Sequence, residues 1–166
     1  MSQAKVLRNP PGGSRRELVK IAFDREKEDG GGRETMWGER VTDSGVRILN
    51  IPVLVFGVAY HDVFATKLED GVMVSAGPIL RSGHSTYRLM LSPEAVGRVF
   101  DDRWARLEAI GCWYEKGTER LIAVDVPPET DIYEAYRLFE EGMKDGVWTF
   151  DEGFCGHPPR DPPEPR

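Results

Sequence analysis

Residues 85–111 read STYRLMLSPEAVGRVFDDRWARLEAIG, and within this stretch the spacing of apolar residues changes from a strand repeat to a helical one. From Ser85 to Leu91 side chains alternate. Ser85, Tyr87, Leu89 and Leu91 fall on one face, and His84, Thr86, Arg88 and Met90 on the other. Ser92-Pro93 then offers a capping hydroxyl followed by proline at the first helical position, and Gly111 stands where a helix would end. Between them Val96, Val99, Phe100, Trp104, Leu107 and Ile110 recur at helical spacing, which predicts an amphipathic helix with one face to bury.

Toward the C-terminus, Cys112–Lys116 and Arg120–Val126 read as two strands joined at Gly117, and Pro127-Pro128 ends the second because proline cannot continue a central ladder. Asp131 and Glu134 have capping-box spacing, and Ile132, Tyr136, Phe139 and Met143 form a helical stripe ending at Gly146. Val147–Glu152 is the last strand. The order strand, helix, strand, strand, helix, strand over residues 85–156 predicts a ferredoxin-like βαββαβ subdomain, with both helices on one face of a four-stranded antiparallel sheet.

Residues 17–84 have a different rhythm. Glu17–Phe23, Glu34–Val41, Val46–Leu49, the apolar run Ile51–Phe56, Val63–Lys67 and Val72–Ala76 all read as short strands, punctuated by Gly30-Gly31-Gly32 and Asp70-Gly71. Five or six strands without a helix signal predict a small antiparallel β-barrel or a curved sheet, since closure hides the edges. The whole is therefore an α+β chain. Residues 1–16 and the Pro-rich 157–166 are too rich in proline, glycine and charge to pack, and read as disordered tails.

Composition narrows the function. A net charge of −6 and a pI near 5.2 argue against binding duplex nucleic acid, which requires a basic surface. The two cysteines, Cys112 and Cys155, are far apart in sequence and fit a reducing compartment. The N-terminus lacks the apolar core of a signal peptide, and no run reaches the roughly 20 apolar residues of a membrane span. A cytoplasmic protein with no membrane partner is expected.

The densest polar segment adjoins the first strand of the second half. Arg81, Ser82, His84, Thr86 and Arg88 supply a hydroxyl pair, an imidazole and two guanidinium forks, the donor types that hold an anionic ligand or an acidic group of a partner. Because they lie at the junction of the two halves, a ligand cleft is expected there. The competing structural reading is that Arg88 pairs with an acidic neighbour and His84 caps a loop. Ser82 and His84 with Asp62 also supply the residue types of a hydrolase or transferase, but a nucleophile elbow is absent and no catalytic residue is assigned. The histidines and cysteines lack metal-ligand spacing, and Asp29-Gly30-Gly31-Gly32 lacks the Lys-Ser/Thr of a phosphate loop, so neither a metal nor a cofactor is expected. Trp113, Trp148 and Phe150 read as core or as a protein-binding surface. That leaves an interaction or regulatory module of the immunity kind, countering a basic partner through its acidic surface, as a further possibility.

Several short motifs carry a resemblance. Met36-Trp37, Asn50-Ile51-Pro52, Phe56-Gly57-Val58, Asp62-Val63 and Ser82-Gly83-His84-Ser85-Thr86-Tyr87-Arg88 resemble the bacterial family called Domain of Unknown Function 4265. So do Gly111-Cys112, Tyr114-Glu115, Val124-Asp125-Val126-Pro127, Trp148 and Glu152-Gly153. The resemblance covers most of residues 17–156 and implies that they form one coherent unit. It implies no reaction, cofactor or partner. His61 departs from it, since glycine is expected before Asp62-Val63.

Overall fold

The computed structural model describes residues 16–160; the tail readings for 1–15 and 161–166 lie outside the described residues. Five strands, β1 (Leu18–Asp24), β2 (Arg33–Arg40), β3 (Gly45–Ile48), β4 (Val63–Glu69) and β5 (Val72–Leu80), follow one another around a closed barrel. Neighbours are antiparallel, and β1 closes on β5 through a parallel contact at Ala22 and Val74. The alternation in β1 sends Ile21 and Phe23 inward to meet Met36, Val46, Ile48 and Phe64. Asp70 takes a positive φ at the β4–β5 turn, as a tight Asp-Gly hairpin requires.

The second sheet contains β6 (Ser85–Leu91), β7 (Trp113–Lys116), β8 (Leu121–Val126) and β9 (Trp148–Phe154), in the order β7-β8-β6-β9 with every neighbour antiparallel. Tyr87, Leu89 and Leu91 on β6 and Ile122, Val124 and Val126 on β8 form a core with the two helices, α1 (Arg98–Ala109) and α2 (Ile132–Lys144).

Three expected elements differ. The α1 helix begins at Arg98 rather than at Pro93, because a short 3-10 turn over Pro93–Ala95 is followed by Gly97 at φ 96, which breaks the helical path. On α2, Asp131 caps the Tyr133 and Glu134 amides as expected, but the buried stripe is Ala135, Leu138, Phe139 and Gly142, while Tyr136 and Met143 face outward. Small residues on that stripe let the helix close on the sheet. A Cβ at Gly142 would lie 2.2 Å from the Trp148 ring, whose Nε1 donates to the Phe139 carbonyl at 3.0 Å.

The third difference concerns Ile51–Phe56, which forms no strand. The Glu34 carboxylate on β2 instead accepts the amides of Val53, Leu54 and Val55 at 2.7, 2.9 and 2.7 Å, and three consecutive amides turned to one carboxylate cannot join a ladder. Residues 49–62 thus become a long connection that inserts Val55 and Val58 into the barrel core. It also lies over the sheet face opposite the helices, through Gly57 N–H to the Gly153 carbonyl at 3.0 Å and Thr86 Oγ1 to the Val58 carbonyl at 3.0 Å. Residues 157–160, read from the sequence as the start of a tail, are also held. His157 Nδ1 is 2.6 Å from Ser85 Oγ, and Arg160 pairs with Asp131 at 2.9 Å.

Glu34→Ala is expected to cost about 2–3 kcal/mol, because it strands amides that had a charged acceptor. Glu34→Gln, which keeps one carbonyl oxygen, should cost less. Urea midpoints measure both; an alanine variant within about 0.5 kcal/mol of wild type would mean that the connection is held by packing alone.

Candidate functional site

The polar segment 81–88 divides between two places. Arg81, Ser82 and His84 gather around residues 57–62 of the connection, whereas Arg88 reaches the opposite side of the same face. Thr86 lies between, fully buried, with its hydroxyl committed to the Val58 carbonyl.

In the first place two buried carboxylates organise the donors. Asp62 accepts Ala59 N–H at 3.0 Å, Ser82 N–H at 2.8 Å and an Arg81 Nη1 hydrogen bond at 2.7 Å. Ser82 Oγ lies 2.6 Å from the Tyr60 carbonyl and 3.1 Å from Asp62, and accepts the His84 amide at 3.2 Å. Asp125 on β8 lies 2.9 Å through both oxygens from His84 Nδ1 and accepts Trp113 Nε1 at 2.7 Å. The residue types of a triad are thus present but not assembled as one. The imidazole's carboxylate is Asp125, not Asp62, and the Ser82 hydroxyl has no hydrogen bond to the His84 ring. His84 is held with Nδ1 toward a carboxylate, and its Nε2 has no hydrogen-bond partner among the described residues. Asp125 thus fixes the orientation of the imidazole and leaves Nε2 as its unengaged nitrogen.

Aromatic rings enclose this pair. Tyr60 stacks on His61 at 3.9 Å and meets the edges of Trp113 and His84 at 4.9 and 5.4 Å. Burial, and then the charges of Asp125 and Glu115, push the Tyr60 phenol above its ordinary range. His61 sits at φ 66, a left-handed conformation that costs a non-glycine residue about 1 kcal/mol. This is the backbone reason for expecting glycine there.

The second place is a cleft of about 350 Å³ between the barrel loop after β1, the connection, and the outer face of the second sheet. Arg88 enters it stacked 3.9 Å from the Phe56 ring, bound to Asp151 through two hydrogen bonds of 2.8 and 2.7 Å and to the Leu54 carbonyl at 3.0 Å. Across the cleft stands Arg25, which no motif in the sequence singles out. Its Nη1 donates to the Gly31 carbonyl at 3.0 Å and its Nη2 to the Asp29 carbonyl. Its Nε is buried without a partner, and it pairs with no carboxylate among the described residues. Val53, Leu54, Phe56, Met90 and Leu121 supply the apolar lining. No group of three or more His, Cys, Asp or Glu side chains among the described residues is arranged to hold a metal ion. Among the described residues no helix is long and apolar enough to cross a membrane.

Asp125 also makes a pH-dependent prediction. Burial, outweighing the His84 and Trp113 hydrogen bonds, holds its carboxyl above the ordinary carboxylate range. The folded chain therefore keeps this proton to higher pH than the unfolded chain, and the group withdraws stability as pH rises through that window. The stability of Asp125→Asn relative to wild type should accordingly increase from acidic pH through the upper carboxylate range, read as paired urea midpoints. A difference independent of pH would show that Asp125 titrates alike in both states.

Comparison with known proteins adds fold and family. A crystal structure described as that of a hypothetical protein from Neisseria gonorrhoeae is similar over 87% of this chain and 100% of that one, with a TM-score of 0.73 and 19% identity, which shows the fold. None of the curated proteins matches. The family described as Domain of unknown function (DUF4265) matches residues 34–150, from β2 through the connection and both helices into β9. The chain therefore belongs to the DUF4265 family.

Proposed function

We propose that this chain is a non-catalytic cytosolic binding protein that takes an anionic group, on a small ligand or a partner, into the cleft between a β-barrel and a ferredoxin-like half. The interleaved order β7-β8-β6-β9, with two helices on one face, supports the ferredoxin-like reading of residues 85–156. The observation that carries the functional reading is Arg25. A cation with a buried, unpartnered Nε and no carboxylate partner among the described residues lines a cleft of ligand size.

Arg88 has a different part. Two of its nitrogens are engaged by Asp151 and the third by the Leu54 carbonyl, so it fixes the cleft wall and offers only its remaining N–H groups to a ligand. Arg81, Ser82 and His84 support the connection that forms the cleft's other wall. The reading as a Ser82/His84 hydrolase draws less support, since Ser82 is tied to the connection.

A thermal-shift series with simple carboxylates, phosphate and sugar phosphates tests this on the full chain. At ligand concentrations near 100 times Kd, wild type should melt several degrees higher, because binding to the folded state alone is then worth about 2.7 kcal/mol. Arg25→Ala should melt near wild type without ligand and lose the shift. A shift kept in full by Arg25→Ala would move the site elsewhere, and no shift with any anion would overturn the reading.

A further inference from the structure

The cleft leaves two charges of opposite sign uncompensated, close together on one wall. Arg25 has only backbone carbonyls as partners. The Asp29 side chain, four residues on, makes no ion pair or hydrogen bond among the described residues, although it lines the same cleft. Every other formal charge in the cleft lining is spoken for, since Arg88 and Asp151 neutralise each other. A smaller hollow of about 90 Å³ shares Arg25, Asp29, Leu54 and Phe56 with the cleft and adds Asp24 and Glu26. Asp24 is paired with Arg33, but Glu26 makes no side-chain bond among the described residues. The hollow therefore places the Asp29 and Glu26 carboxylates beside Arg25. A simple anion satisfies the guanidinium and meets repulsion from Asp29 and Glu26; a simple cation meets the reverse.

From this arrangement, and resting on the binding reading above, we infer that the ligand is a small zwitterion with an apolar side chain, of the class of the free α-amino acids leucine, methionine and phenylalanine. Its carboxylate lies against the Arg25 guanidinium, which keeps Nη donors beyond the two given to the Gly31 and Asp29 carbonyls. Its ammonium group points to the hollow bordered by Asp29 and Glu26. The side chain rests on Phe56, Met90 and Leu121, which otherwise leave apolar surface open to water. The volume of the cleft is at the lower end of small-ligand sites, which suits one amino acid rather than a nucleotide.

Isothermal titration of the full chain tests the inference with L-leucine, L-methionine and L-phenylalanine beside 3-phenylpropanoate, which lacks the ammonium group, and phenylalaninamide, which lacks the carboxylate. At least one amino acid should bind, and for phenylalanine each truncated analogue should bind at least tenfold more weakly. Arg25→Gln should weaken phenylalanine and phenylpropanoate alike, whereas Asp29→Asn should weaken phenylalanine tenfold and leave phenylpropanoate unchanged or tighter. If phenylpropanoate binds as well as phenylalanine and Asp29→Asn changes neither, the zwitterion inference fails while the anion-binding reading stands. If neither the amino acids nor phenylpropanoate binds, and the anion series also gives no shift, both fail.

Discussion

One carboxylate decides how the two halves meet. Glu34, projecting from β2, turns three successive amides of the connection toward itself, and in doing so it removes Val53–Val55 from any sheet. An apolar run that would otherwise have extended the barrel crosses instead from the barrel core to the outer face of the second sheet. Val55 and Val58 anchor one side of it in the barrel, and Gly57, Val58 and Leu54 meet Gly153, Thr86 and Arg88 on the other. Both polar centres inherit their geometry from this segment. Residues 57–62 build the surroundings of His84, and residues 53–56 form one wall of the cleft.

Burial of acidic groups under the connection follows from the same arrangement. A charge removed from water requires several hydrogen bonds to remain tolerable, and each buried aspartate here has them. Asp62 draws on backbone, hydroxyl and guanidinium donors; Asp125 draws on an imidazole and an indole. The two differ in what they fix. Asp62 ties the end of the connection to the strand entry at Ser82, whereas Asp125 orients a side chain, His84, that keeps one ring nitrogen without a partner among the described residues.

Local signals carried most of the fold. The alternation at Ile21 and Phe23, the Asp70-Gly71 turn and the Asp131 cap each encode their element through contacts within a few residues, so a reading of the sequence reaches them. The Ile51–Phe56 run was misleading because its conformation depends on a carboxylate from another strand, and strand propensity yields to such tertiary partners. On α2 the large residues drew the eye to Tyr136 and Met143, while the buried face is marked by Ala135 and Gly142, whose small size matters only once Trp148 is opposite. For the candidate site, Arg81, Ser82, His84, Thr86 and Arg88 stood out by residue type, yet type does not reveal which charge is already neutralised. Asp125 had a readable signal, a single aspartate inside the apolar run Leu121–Val126. Arg25 had none, since its importance lies in the partners it lacks.

That contrast bears on how a cleft with nearly balanced charge can still select a ligand. Arg88 and Asp151, locked to each other and stacked on Phe56, have little electrostatic response left and act as rigid wall. The Arg25 guanidinium gives two donors to main-chain carbonyls of its own loop and meets no carboxylate among the described residues, so part of its hydrogen-bonding capacity stays unused while the loop backbone sets its position. Preorganised groups with unmet hydrogen-bonding capacity lose little entropy on meeting a ligand and gain the whole of its interaction. The residues that shape the cleft and the residues that would read its contents are therefore different ones. On the binding reading proposed above, selectivity between ligands of different charge would be a property of the loop after β1, held apart from the contacts that keep the two halves together.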